Sequence, residues 1–103
     1  MTDPRLPSMS KTESLVMALL GHRDRYGLEL VDASDGALKR GSVYVTLARM
    51  EEKGFVESWQ EDRAPHISGP PRRLYRATPY GRKVHQAFAT LREALALKPA
   101  EAQ

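Results

Sequence analysis

The sequence predicts a mostly α chain with one small β-hairpin, and three observations carry that reading. Apolar residues recur at helical spacing in three short stretches ahead of Gly54. The texture then changes to strand-favouring runs on either side of a Pro- and Gly-rich stretch. Beyond Thr78-Pro79 the helical spacing returns in one longer run.

Composition bounds what such a chain can be. Its 103 residues suit one domain, with a core small enough that a partner subunit would help it. A hydrophobic content of 41% and a charged content of 28% argue against wholesale disorder. There is no cysteine, which excludes disulfides and thiolate zinc sites, and His22, His66 and His85 are too scattered to suggest a metal site. No metal and no cofactor are expected. No apolar run reaches membrane-spanning length and residues 1–7 lack the pattern of a secretion signal, so a cytoplasmic protein is expected. The net charge of +3 says little, but its distribution says more. Arg63, Arg72, Arg73, Arg76, Arg82 and Lys83 lie in a stretch without one acidic residue, the footprint expected of a nucleic-acid surface.

Residues 1–9 hold two prolines and no periodicity, which predicts a flexible arm. Ser10-Lys11-Thr12-Glu13 has the form of a capping box and should open the first helix, with Leu15, Val16, Leu19 and Leu20 as its buried stripe and Gly21 as its end. Asp24 is placed to cap a second helix over residues 26–34. In that helix Leu28 and Val31 are spaced for burial, with Leu30 at the flank, and Asp35-Gly36 marks the turn that follows.

The third helix, from near Gly41 to Gly54, is the stretch around which the chain is organised. Val43, Leu47 and Met50 recur at i, i+4, i+7 and form its buried stripe. Val45, Arg49 and Glu52 fall roughly opposite, while Ser42 and Tyr44 lie near the leading end behind Lys39-Arg40. The acids Glu51 and Glu52 gather at the far end, so the leading end is positive and slim, as suits a helix aimed at phosphates and base edges.

Residues 55–60 and 72–77 read as two strands joined by a loop over 63–71. A helix-turn-helix followed directly by a hairpin with an arginine-rich tip has the outline of a winged helix. Thr78 then caps, and Pro79 starts, a helix running to about Leu97, roughly 28 Å long. Val84, Phe88, Leu91 and Leu95 follow at spacings of 4, 3 and 4, the rhythm of a coiled-coil seam. A stripe of that size predicts a homodimer joined through this helix. The expected division is therefore an arm at 1–9, a winged helix-turn-helix at 10–77, a dimerisation helix at 78–97 and a frayed tail at 98–103.

Three runs carry a family resemblance. They are Tyr26-Gly27-Leu28-Glu29-Leu30; the stretch from Gly41 to Val56 that includes Tyr44, Thr46, Leu47, Met50, Glu51 and Gly54; and Arg72-Arg73-Leu74-Tyr75-Arg76-Ala77-Thr78-Pro79-Tyr80-Gly81-Arg82. With Trp59 between the last two, the chain resembles the PadR family of bacterial transcriptional regulators over about residues 12 to 90. The resemblance implies a dimeric winged-helix repressor on a palindromic operator, released in some members by a flat aromatic effector. It further implies that Tyr44 bonds a phosphate, that Ser42 and Thr46 touch backbone or base edges, and that Tyr75 anchors the hairpin from the core side.

Lys39, Arg40, Arg49, Arg63, Arg72 and Arg73 are expected to add phosphate contacts. This chain departs from the family's pattern in three places. Val45 replaces a common proline and offers methyl groups to a thymine methyl; Arg40 stands where serine is frequent; and the 63–71 tip looks long. The short tail predicts no separate effector domain. The competing reading is a winged-helix module that binds protein and never DNA, which the acid-free stretch disfavours. Enzymatic activity is not expected, because no nucleophile-base grouping or phosphate loop is present and the neighbouring Glu51 and Glu52 diverge on a helix.

Overall fold

The structure, a computed structural model, describes residues 6–62, 69 and 71–97. Four helices and three strands follow in the order α1 (Lys11–Leu20), β1 (Arg25–Tyr26), α2 (Gly27–Ala33), α3 (Arg40–Glu52), β2 (Val56–Gln60), β3 (Arg73–Ala77) and α4 (Pro79–Ala96). The expected capping box opens α1: the Glu13 amide donates to Ser10 Oγ at 3.1 Å, and Glu13 Oε1 accepts from the Ser10 amide at 2.8 Å. Thr78 caps α4 in the same manner, accepting from the Gly81 amide at 2.9 Å.

The sheet is antiparallel with strand order β1-β3-β2, so the returning strand of the hairpin lies in the middle. Val56 pairs with Ala77 at one end of the β2–β3 ladder and Gln60 with Arg73 at the other, while Arg25 and Tyr26 pair with Tyr75 and Leu74. The third strand, β1, falls where the sequence predicts a cap at Asp24 and a helix from residue 26. Asp24 does not cap α2; it forms an ion pair with Arg76 Nε at 2.8 Å, and Tyr26 occupies the cap position. Strand pairing with β3, far along the chain, outcompeted a local capping geometry.

One core joins the four helices with β2 and β3. Val16, Leu20, Leu30, Val43, Leu47, Met50 and Phe55 are fully buried, with Met17, Val56, Tyr75, Ala77 and Val84 around them. The α3 stripe is as the periodicity implies. In α1 Met17 takes a core place, while Leu15 and Leu19 are only partly buried. In α2 the expected roles are exchanged: Leu30 is buried and Leu28 exposed. That helix has only seven residues, too few for spacing to define a face, and the elements packed around it chose Leu30.

The start of α4 is stitched to the turn after α3. The Thr78 hydroxyl donates to the Gly54 carbonyl at 2.6 Å, and the Thr78 amide donates to that of Phe55 at 3.0 Å. A Cβ at position 81 would run into the Phe55 carbonyl group, so only glycine lets the two backbones approach this closely. Just ahead of the same turn, Lys53 reaches the buried Glu13 carboxylate at 3.0 Å and the Ser8 carbonyl at 3.2 Å, while Met9 is buried beside them. These two clasps fix the far end of α3 against α1 and α4.

Candidate nucleic-acid interface

With Val43, Leu47 and Met50 at zero exposure, α3 has no freedom to rotate about its axis without opening the core. On a period of 3.6 residues Val45 then faces away from the core, with Tyr44 on one flank and Ser42 and Thr46 on the other. Lys39, Arg40, Ser42, Tyr44, Val45 and Arg49 are exposed and Thr46 is half-buried, so the residues expected at this surface on α3 are brought to one side. The first turn carries no acid and no side chain caps it. Its free amides and partial positive charge, with Lys39 and Arg40 beside them, form an end suited to an anion. Among the described residues, Lys39, Arg40 and Arg49 make no ion pair.

Tyr44 has a seat. Its ring lies over Gly27, where a Cβ would sit 2.6 Å from the ring carbon Cε1 and 2.9 Å from the hydroxyl. The residue before that glycine, Tyr26, does three jobs. Its amide donates to Glu29 Oε1 at 2.8 Å, its backbone pairs with Leu74, and its hydroxyl donates to the Glu61 carboxylate. That bond raises the pKa of the Tyr26 hydroxyl above its ordinary value. The Arg72 guanidinium stands 4.5 Å above the Tyr26 ring and 3.6 Å from Glu61, closing a three-residue cluster at the base of the hairpin. Tyr26, Gly27, Leu28, Glu29, Asp32, Tyr44, Pro71, Arg72 and Arg73 line one groove of ≈ 460 Å³ between α2, α3 and the hairpin.

The hairpin arginines differ from the picture of an acid-free patch. The stretch has no acid of its own, but the fold supplies acids from elsewhere: Glu61 beside Arg72, Asp24 and Glu57 beside Arg76, and Glu51 behind Ser58, which accepts from Arg73 Nε at 2.8 Å. Arg76 also stacks over Trp59 at 4.8 Å. The Arg76 hydrogen bond holds the pKa of the Asp24 carboxyl below its usual range. Arg82 donates to the Ala77 carbonyl at 3.0 Å. Arg63 lies outside the described residues, as does most of the 63–71 tip. Tyr75 is buried on the core side of the sheet.

Along α4 the seam emerges progressively from the core. Val84 is buried, Phe88 half-buried, Leu91 50% exposed and Leu95 75% exposed. Leu6, Pro7, Tyr80 and Ala87 join Val84, Phe88 and Leu91 around an apolar groove of ≈ 440 Å³. No group of described residues could hold a metal ion, and no described helix is long and apolar enough to cross a membrane.

Tyr26, Gly27 and Glu61 were not among the site residues expected from sequence. The signal that could have found them is the Tyr26-Gly27 pair itself, since glycine at a helix start needs a spatial reason.

Residues 16–87 match the family described as Transcriptional regulator PadR-like family. A PadR family transcription regulator from hypervirulent Clostridium difficile is similar in structure, with TM-score 0.68, 26% identity, and 80% of this chain and 86% of that one covered. A PadR family regulator from Eggerthella lenta gives a TM-score of 0.66 at 25% identity, covering 82% of this chain and 76% of that one. Bacillus subtilis PadR, solved in complex with operator DNA, has the same fold with TM-score 0.68 at 14% identity; 80% of this chain matches 48% of that longer one. No curated protein matches the sequence significantly.

Proposed function

Because the chain belongs to the PadR-like family of transcriptional regulators and so is a regulator, not an enzyme, we propose that it is a homodimeric repressor that binds a double-stranded operator in the cytoplasm. The carrying observation is the leading end of α3, which is exposed, free of acids and uncapped by side chains on a helix whose back is locked into the core. In this reading residues 10–77 form the DNA-binding unit and 78–97 the dimerisation helix. Ser42, Val45 and Thr46 face the groove, and Tyr44, Lys39, Arg40, Arg49, Arg63, Arg72 and Arg73 meet phosphates.

Dimerisation follows from Val84, Phe88, Leu91 and Leu95. Two exposed leucines on one stripe are costly in water, and a second copy of α4 is the simplest cover. A two-fold axis would then place two α3 helices about one turn of DNA apart, roughly 34 Å, on an inverted repeat. The same apolar groove, with Phe88 and Tyr80 on its wall, is where a small aromatic effector would compete with the DNA-bound arrangement. A protein-binding role would not call for an acid-free, side-chain-uncapped helix end.

The test joins selection of a bound duplex from a random-sequence library to a salt titration and sedimentation. An inverted-repeat duplex, an affinity that falls steeply with salt and a dimer that Leu91→Glu with Leu95→Glu converts to monomer are expected. A salt-independent affinity would rule out the phosphate contacts, and a monomeric wild type would rule out the two-fold arrangement.

A further inference from the structure

Glycine is a poorer helix former than alanine, by about 1 kcal/mol in a helix interior and by less in the first turn. Gly27 opens α2, and its backbone does not require a glycine, since it is absent from the positive-φ residues. What excludes a side chain there is the Tyr44 ring, 2.6 Å from where Cβ would be. Tyr44 is itself 48% exposed, so the close seat brings little burial to the core. A helix start is thus weakened in order to hold an exposed aromatic residue in one pose. The adjacent Tyr26 does the matching service for the hairpin, anchoring Arg72 and Glu61 through its ring and its hydroxyl.

We infer that Tyr26 and Gly27 are positioning residues for DNA recognition: Gly27 sets the pose of Tyr44, and Tyr26 sets the pose of Arg72, so that helix and hairpin meet one duplex in register. This rests on the DNA-binding reading above. It makes two consecutive residues at the start of α2, neither of them a DNA contact, the reference point for two contacts on different elements.

The decisive variant is Gly27→Ala, because stability and binding should part. The atoms an added methyl meets belong to the far end of a side chain, so Tyr44 swings away while the fold stays intact and the helix start gains propensity. The melting temperature should hold or rise, and affinity for the duplex selected by the wild type should fall about tenfold. In a Tyr44→Ala background the same substitution should have no further effect. Tyr26→Phe, which keeps the ring under Arg72 and removes the bond to Glu61, should weaken specific binding several-fold, and this loss should vanish in an Arg72→Gln background.

Wild-type affinity in Gly27→Ala, a loss that persists in the Tyr44→Ala background, or a loss that tracks a lowered melting temperature would each overturn the Gly27 role. Unchanged specific affinity in Tyr26→Phe would overturn the hairpin half. A wild type that selects no duplex at all would instead sink the DNA-binding reading, and this inference with it.

Discussion

The leading end of α3 and the base of the hairpin are both basic, yet they hold their charge in different ways. Lys39 and Arg40 stand beside uncapped amides with no acid in the turn, whereas Arg72, Arg73 and Arg76 are each engaged by groups the fold brings from other segments. A phosphate arriving at α3 meets cations that have nothing to give up. At the hairpin each guanidinium is already held by a carboxylate or a hydroxyl, which offsets part of its charge before a phosphate arrives. Cations counted along a chain therefore overstate the charge a surface can offer. The helix end is suited to affinity, and the tethered arginines to a fixed pose.

Lys53 marks the far limit of this contrast, as a cation committed wholly to structure. Its partner Glu13 is buried, so Glu13→Gln should have the largest effect, about 2–4 kcal/mol of stability, measured as a lower denaturation midpoint. Burial alone would raise the pKa of the Glu13 carboxyl, but hydrogen bonds from the Ser10 backbone and from Lys53 outweigh it and hold it below the ordinary 4.5. The group thus binds fewer protons folded than unfolded. Its contribution is complete above the unfolded value and is lost as pH falls through the lower folded one. Acid melting curves of wild type and Glu13→Gln should converge in that range.

Next in size, Lys39→Gln with Arg40→Gln should weaken binding to the selected duplex about 10- to 100-fold and lower the salt slope by about 3.6, near 0.9 for each of the four phosphates a dimer no longer neutralises. The corresponding hairpin pair, Arg72→Gln with Arg73→Gln, should cost less than about tenfold and lower the slope by less, because an internal partner already offsets part of each arginine's charge. Equal losses from the two pairs would dissolve the distinction between helix end and hairpin. Smallest of all, Arg76→Gln should leave DNA affinity unchanged, since Asp24, Glu57 and Trp59 hold that side chain within the sheet; a loss of binding in an electrophoretic shift assay would show that it lets go.

Where structure followed sequence closely, the determinants were local. The Ser10 and Thr78 caps, the Val43-Leu47-Met50 stripe and the strands on either side of the tip each depend on residues within a turn or two of one another. Where it did not, the partner was distant. Two residues cannot show a period, so β1 became visible only beside Tyr75 and Leu74. Asp24 was read as a cap because nothing nearby named Arg76, 52 positions on, as the stronger claimant. The exposed side of α3 was legible because its opposite side had to be apolar. The seat beneath Tyr44 was not, because a glycine's reason lies in whatever occupies its missing side chain.

The amino-acid order by itself determined the helices, the caps of α1 and α4, the hairpin and the buried face of α3, since periodicity and capping act over a few residues. Tertiary structure alone decided which of the described arginines are tied and which are free, that a short third strand exists, and that the Tyr44 ring packs over Gly27. Charge pairing and close packing act through space, and only folding sets the distances on which they depend.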